Sequence, residues 1–305
     1  MSEIISKEEK HKQLELENSD KTHISFSEFS LYNQCGHRHL VEKHLGIEPQ
    51  PPSIHLFFGN AVHESIEIAF KENKTIDERI QFFRTTFKKY MMDNMREMSE
   101  FVETDNFLNQ GENILRVLDL DEIKKEYDVI SIEEPLYEQM HKGFHFKGFI
   151  DLVLQHKKTK MYNVDDWKSS GQAWDVDKKL KDEIFTFQMP LYKFFWARKH
   201  NIPLNQIECE YIVLNRLKNK NKPDDGFGEI QKVPIESSKD IIRKALVRLT
   251  NTMRSIHGDK YFPKVKHYGN ERMGCMFCAY KGGKHPLCDS SFTQSDKLLK
   301  QYGMI

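Results

Sequence analysis

Apolar side chains mark out helices in the first third of the chain and strands in the middle. From Gly59 to Phe70 the sequence GNAVHESIEIAF sets Val62, Ile66 and Ala69 on one side of a helix. Before it, Phe29, Leu31, Tyr32 and Leu40 give an apolar face to a helix that Ser27 is placed to cap, and the proline-rich stretch from Gly46 to Ile54 reads as a loop. Further helical patterns follow at about 76–98 and 107–126. The character changes at Val129. VISIEEPLYEQM and FHFKGFIDLVLQ are strand-like and are joined by a turn at Lys142 and Gly143, and KMYNVDDWK is a third strand. A helix at about 177–200 carries Phe187, Leu191, Phe194 and Phe195. QIECEYIVLNRL is a fourth strand, EIQKVPI a short one after it, and about 238–257 a last helix. Helix, three strands, helix, strand predicts an α/β fold with helices on both faces of a central mixed sheet. In this scheme residues 1–22 are a disordered tail and 23–305 one domain, with a helical insertion at about 72–127 and a C-terminal cysteine-bearing segment at about 263–305.

Composition changes this picture little, but it restricts partners. The 305 residues hold 46 Lys+Arg and 46 Asp+Glu, a net charge of zero, so a nucleic-acid site must be a local patch rather than a global basic field. No apolar run approaches the roughly 20 residues that span a bilayer, and the charged start MSEIISKEEKHKQLELENSDK lacks the apolar centre of a signal peptide. The expectation is a cytoplasmic protein without membrane contact. Of five cysteines, Cys275, Cys278 and Cys288 cluster near the C-terminus, which in a reducing compartment points to metal rather than disulfides.

The stretch MYNVDDWKSSG at 161–171 departs from strand composition, because strands are poor in Asp and buried charges need partners. Alternation puts Asp166 and Lys168 on one face and Asp165 and Trp167 on the other. Such a pair is ordinarily a salt bridge. Asp151 changes that reading: it sits in GFIDLVL among Phe149, Ile150, Leu152 and Val153, where an isolated carboxylate is expensive unless paired or bound to metal. Two carboxylates facing one cavity suit Mg²⁺ or Mn²⁺, and a lysine beside them can stabilise a phosphate or help an attacking water. His63, early in its helix, is a candidate third ligand, and Glu64 and Glu67 are expected to face solvent. Gln188 and Tyr192 share a helix face and can hydrogen-bond the scissile strand or the lysine.

Taken in order, SFSEFSLYNQC at 25–35, GNAVHESIE at 59–67, GFID at 148–151, DWKSSG at 166–171 and QMPLY at 188–192 resemble the RecB-like branch of the PD-(D/E)xK nuclease superfamily. The resemblance implies a restriction-endonuclease-like core. His63, Asp151 and Asp166 would be metal ligands together with the backbone carbonyl of Trp167. Lys168 would be the catalytic lysine, and Gln188 and Tyr192 the supporting helix motif; Asp165 receives no role. Some members, including AddB-type nucleases and CRISPR-associated exonucleases, hold a [4Fe–4S] cluster. The matching ligands here would be Cys35, Cys275, Cys278 and Cys288. The gap between Cys278 and Cys288 is long and contains His285, so Cys275, Cys278, His285 and Cys288 could instead form a zinc site. Cys209, alone in a strand, is expected in the core.

Arg216, Lys218, Lys220 and Lys222 form a basic run able to track DNA phosphates, with Arg38, His39, Lys281 and Lys284 as further contributors, and Trp174 could stack on an unpaired base. No phosphate-binding GxxxxGK[ST] loop occurs, so a motor would come from a separate helicase or recombination partner. The expected function is a metal-dependent DNA exonuclease of a bacterial or phage-infected cell, acting in recombination, repair or processing. A structure-specific or restriction-like endonuclease and a non-catalytic nucleic-acid-binding subunit are the alternatives.

Overall fold

Strand alternation organises the middle of the chain into a sheet, and the helices that precede it bury that sheet's apolar face. The computed structural model describes residues 7–18, 22–47, 53–94, 104–141, 143–216 and 229–257. In chain order its elements begin with α1 (Lys7–Glu17), β1 (Thr22–Ser25), α2 (Phe26–Gln34), α3 (Gly36–His39), α4 (Ile54–Lys71), α5 (Ile76–Asp93), α6 (Thr104–Val117) and α7 (Leu120–Glu126). They continue with β2 (Tyr127–His141), β3 (Phe144–His156), β4 (Tyr162–Ser170), α8 (Val176–Leu180), α9 (Glu183–Thr186), α10 (Gln188–His200), β5 (Ile207–Asn215), β6 (Glu229–Pro234) and α11 (Lys239–His257). Contacts divide the chain into two units, Met1–Thr22 with Pro52–Arg243, and His23–Pro51 with Lys244–Ile305.

The first unit holds the mixed sheet. β2 and β3 pair antiparallel from Tyr127↔His156 to His141↔Phe144. β3 and β4 pair antiparallel only from Leu152↔Asp165 to Gln155↔Tyr162. β4 and β5 run parallel from Tyr162↔Ile207 to Ser170↔Asn215, and β6 is antiparallel to β5. The β3–β4 ladder therefore stops one residue short of Asp151 and Asp166, and the two strands part there like a fork. On one face, Phe58, Ile66, Phe83, Phe87 and Leu115 from α4–α6 pack on Leu152, Leu154, Trp167, Ile212 and Leu214. Each fully buried side chain of this kind contributes roughly 1.5–3 kcal/mol. The packing leaves no slack: a Cβ on Gly111 would lie 2.1 Å from the Phe83 ring. On the other face α10 stacks Phe195 on Phe146 of β3 with centroids 4.5 Å apart.

Local signals place most helix ends. Thr75 and Glu78 form a capping box at α5, and Asp119 caps α7. The single helix expected at about 177–200 is three segments. Asp175 and Asp182 each accept a backbone N–H from three residues on and so start a new helix, while Pro190 falls in the first turn of α10, where no donor is needed. Residues 7–17, expected within a disordered tail, form α1. Its Lys10 pairs with Glu67 and its Glu15 with Lys147, and both of those partners are buried.

In the second unit the cap of α2 lies two residues before the expected one, because Ser25 rather than Ser27 accepts the Glu28 N–H at 3.1 Å. Buried Asn33 of α2 donates to Thr252 and accepts from Arg248 of α11 at 2.9 and 2.8 Å, tying the two helices together.

Candidate active site

The fork between β3 and β4 is lined from three elements. Asp151 on β3 is buried, and its Oδ2 accepts the Trp167 backbone N–H at 2.8 Å. A side chain thus does what the missing ladder would otherwise do at this point. His63 Nδ1 of α4 lies 3.7 Å from the same oxygen. Gly59 permits α4 to approach this close, since a Cβ there would meet Ser169 Oγ at 3.0 Å. The third group, Glu133, was not foreseen from the sequence. It has a left-handed φ of 51° in the middle of β2. That conformation breaks the alternation: Ile132 and Glu133 both line a cleft with His63, Asp151 and Trp167, whereas Glu134 turns to Lys199 and His200 of α10. A non-glycine residue pays roughly 1–3 kcal/mol for such a backbone, and such strain concentrates at functional sites. One ligand atom from each of His63, Glu133 and Asp151 lies within 4.8 Å of the others. The donors are two carboxylates and an imidazole, converging at the open end of a strand pair, and this set fits a hard divalent ion such as Mg²⁺ or Mn²⁺.

Asp166 is carried by β4 on the side facing α10. Its Oδ2 pairs with Lys168 Nζ at 2.6 Å, and its Oδ1 accepts from Gln188 Nε2 at 2.8 Å. Donation to the Asp166 carboxylate fixes the orientation of the Gln188 amide, which also donates to Tyr192 Oη at 3.3 Å; the one Tyr211 hydroxyl proton is shared between Phe185 O at 2.9 Å and Gln188 Oε1 at 3.2 Å. Tyr211 is a second residue the sequence reading missed. It is the parallel-strand neighbour of Asp166, and Lys168 Nζ lies 5.4 Å from its ring centre. Burial first, and the Asp166 charge second, push the Tyr211 phenol well above its usual range, so it stays a neutral donor. Its sequence signal was faint: a tyrosine in the apolar strand IECEYIVLN, whose hydroxyl had to find a partner. The QMPLY motif therefore serves Asp166 rather than contacting Lys168, and Gly148 of GFID is explained by Tyr192, whose ring would lie 2.9 Å from a Cβ at that position.

The remaining sequence candidates fall as follows. Asp165 faces away from Lys168, beside Glu210 on β5; burial, then Glu210, raises its carboxyl well above the ordinary 3.8. Glu64 and Glu67 are buried rather than solvent-facing, because α4 is covered on more than one side. Tyr90 Oη donates to Glu64 at 2.5 Å and Lys71 to Glu67 at 2.6 Å. Trp174 packs edge-on against Phe185 and Tyr211, and its backbone N–H and C=O both bond the Gln231 amide. Cys209 is buried, and desolvation pushes its thiol up to about 12. In the second unit Cys35 ends α2, and its Sγ accepts the Arg38 N–H at 3.4 Å. Lys218, Lys220, Lys222, Cys275, Cys278, Lys281, Lys284, His285 and Cys288 lie outside the described residues.

No helix among the described residues is long and apolar enough to cross a membrane. No curated protein matches the chain. The solved structure of a protein from Eubacterium rectale titled "Putative exonuclease" is similar at 12% identity with a TM-score of 0.51, covering 85% of this chain and 89% of its own. A structure titled SSO0001 covers 88% of this chain and 90% of its own at 11% identity, with a TM-score of 0.37. The first likeness supports the fold. The family model described as the PD-(D/E)XK nuclease superfamily matches residues 23–282, a span that takes in α4, the forked strands and α10. With that match over most of its length, the chain belongs to the PD-(D/E)XK nuclease superfamily.

Proposed function

We propose that this nuclease is a divalent-metal-dependent DNA exonuclease. The observation that carries the metal dependence is the convergence of His63, Glu133 and Asp151 at the open fork, with the Asp166–Lys168 pair on the adjoining strand. His63, Glu133 and Asp151 would hold the ion, and Asp166 and the Trp167 carbonyl would join them as the family resemblance implies. When bound, the ion would supply Lewis-acid polarisation of the phosphoryl group and a more acidic water. Lys168 places a positive charge where negative charge develops on the phosphate, and its ammonium can orient the attacking water. Gln188 keeps one oxygen of Asp166 occupied so that the other remains turned to Lys168. The similarity to the Eubacterium rectale protein, itself described as an exonuclease, supports exonuclease over endonuclease. DNA is the proposed substrate, gripped in part by Arg216 with Lys218, Lys220 and Lys222, and a separate helicase or recombination protein is the proposed partner. The Cys35, Cys275, Cys278 and Cys288 pattern supports a [4Fe–4S] cluster in the second unit, with zinc on Cys275, Cys278, His285 and Cys288 as the competing occupant.

The test is cleavage of end-labelled linear and closed circular DNA, single- and double-stranded, with Mg²⁺, Mn²⁺ or EDTA. Loss of linear DNA only, dependent on the ion and absent in Lys168→Ala, is the expected result. Nicked circles would make the protein an endonuclease, and full activity of Lys168→Ala would remove Lys168 from the mechanism.

A further inference from the structure

Arg216 stands where β5 leaves the sheet. Its backbone N–H donates to Ser170 O at 2.8 Å, one bond beyond the last β4–β5 pair. The guanidinium lies over two rings, 5.3 Å from the centre of Phe58 and 5.1 Å from that of Phe107. It also lies over Gly171, where a Cβ would come within 3.1 Å of Nη2. A side chain at 171 would crowd this arginine, so the glycine of DWKSSG keeps its place open. Burial alone pushes Arg216 below its usual range, with no carboxylate among the described residues offsetting the cost. Its charge, after burial, holds the neighbouring His55 below the ordinary imidazole value, and the His55 ring in turn rests 5.5 Å from Phe107. Ring faces return to a cation only part of what its partial removal from water costs.

A planar fork on an aromatic platform, short of an anion among the described residues, is the chemistry that receives a phosphodiester. Its position matches. Phe58 precedes His63 by five residues on α4, about 7.5 Å along the helix axis. Arg216 follows Val213, the partner of Lys168, by three residues, about 10 Å along the strand. We propose that Arg216 is a phosphate-binding residue that anchors the substrate strand one or two nucleotides from the bond being cut, apart from any diffuse attraction by the basic run that follows it. This rests on the nuclease reading given above.

The experiment measures binding of a short fluorescent single-stranded DNA by the Lys168→Ala protein in Mg²⁺, with the phosphates of the oligonucleotide neutralised one at a time as methylphosphonates. It is repeated with Arg216→Gln added. One neutralised phosphate should weaken binding about 10-fold, Arg216→Gln should weaken it by a similar factor, and the two losses should not add at that one position. Arg216→Lys keeps the charge and the bulk but not the fork. It should hold the uniform attraction and lose most of the position-specific effect, which covers the case of a poorly folded glutamine variant. An Arg216→Gln protein that binds as before, or loses affinity equally at every phosphate, overturns the proposal while leaving the nuclease reading standing. No DNA binding by either protein overturns both.

Discussion

Replacing Glu133 with glycine should make the metal-free protein more stable and the enzyme inactive. The gain has two sources. The left-handed backbone at φ 51° costs a glutamate roughly 1–2 kcal/mol that glycine does not pay, less roughly 0.5–1 kcal/mol for glycine's freer unfolded chain. The carboxylate is also within 4.8 Å of a ligand atom of Asp151. At an effective dielectric of about 20, two unit charges at the outer limit of that range repel by about 3.5 kcal/mol, which His63 and other neighbours offset in part. A net gain of about 1–3 kcal/mol follows, which at about 2–4 °C per kcal/mol raises the melting temperature by several degrees in EDTA. Glu133→Gln separates the two sources, since it removes the charge but keeps the strained backbone. It should gain less than Glu133→Gly. Added Mn²⁺ should stabilise the parent and shift neither variant as far, because an ion binding only the folded state raises stability by mass action. The assay is thermal melting in EDTA and in Mn²⁺ beside cleavage of linear DNA. A Glu133→Gly protein that melts below the parent in EDTA, or that keeps full cleavage and the full Mn²⁺ shift, refutes the assignment of Glu133 to the ion.

Gly148→Ala should push the Tyr192 ring off β3, lower cleavage at least several-fold through Gln188 and Asp166, and cost about 1–3 kcal/mol; an unchanged rate would show that the ring yields freely. Asp165→Asn should stabilise the protein at neutral pH. The native carboxyl keeps its proton well above 3.8 while the unfolded one loses it, so the parent loses stability as pH rises from about 3.8 and the asparagine variant does not. The two melting curves should converge near pH 4, and a constant gap across pH would deny the buried proton. Anaerobically purified protein should contain iron with a matching visible absorbance that falls in Cys275→Ser; stoichiometric zinc without iron would select the zinc reading.

The residues readable from sequence were those whose presence in an apolar strand is costly. Asp151 and Asp166 stood out because carboxylates amid Ile, Leu and Val need a reason, and Lys168 followed from the period of two. His63 was reachable through the likeness of GNAVHESIE to the family's fragment, since helix periodicity alone picked out only Val62, Ile66 and Ala69. Glu133 was not, because the Glu-Glu pair in VISIEEPL reads as ordinary alternation; only the positive φ turns it inward, and nothing in the residue type announces that. Glu64 and Glu67 were misplaced for a related reason: periodicity identifies the most apolar face of a helix but is silent about a second covering layer. The break at about 181–187 was present in the sequence as Asp175, Asp182 and Pro190, and was overridden by the continuous run of phenylalanines.

The amide of Trp167 gives this site a built-in reporter. Its hydrogen is tied to Asp151 Oδ2 across the gap where the two strands have separated. Neighbouring amides in β4 exchange with solvent at rates set by opening of the sheet, whereas this one is released whenever a single carboxylate turns away. Deuterium uptake at Trp167, compared with that of Val164 within the ladder, therefore records how often the aspartate leaves its post, without the need for a substrate.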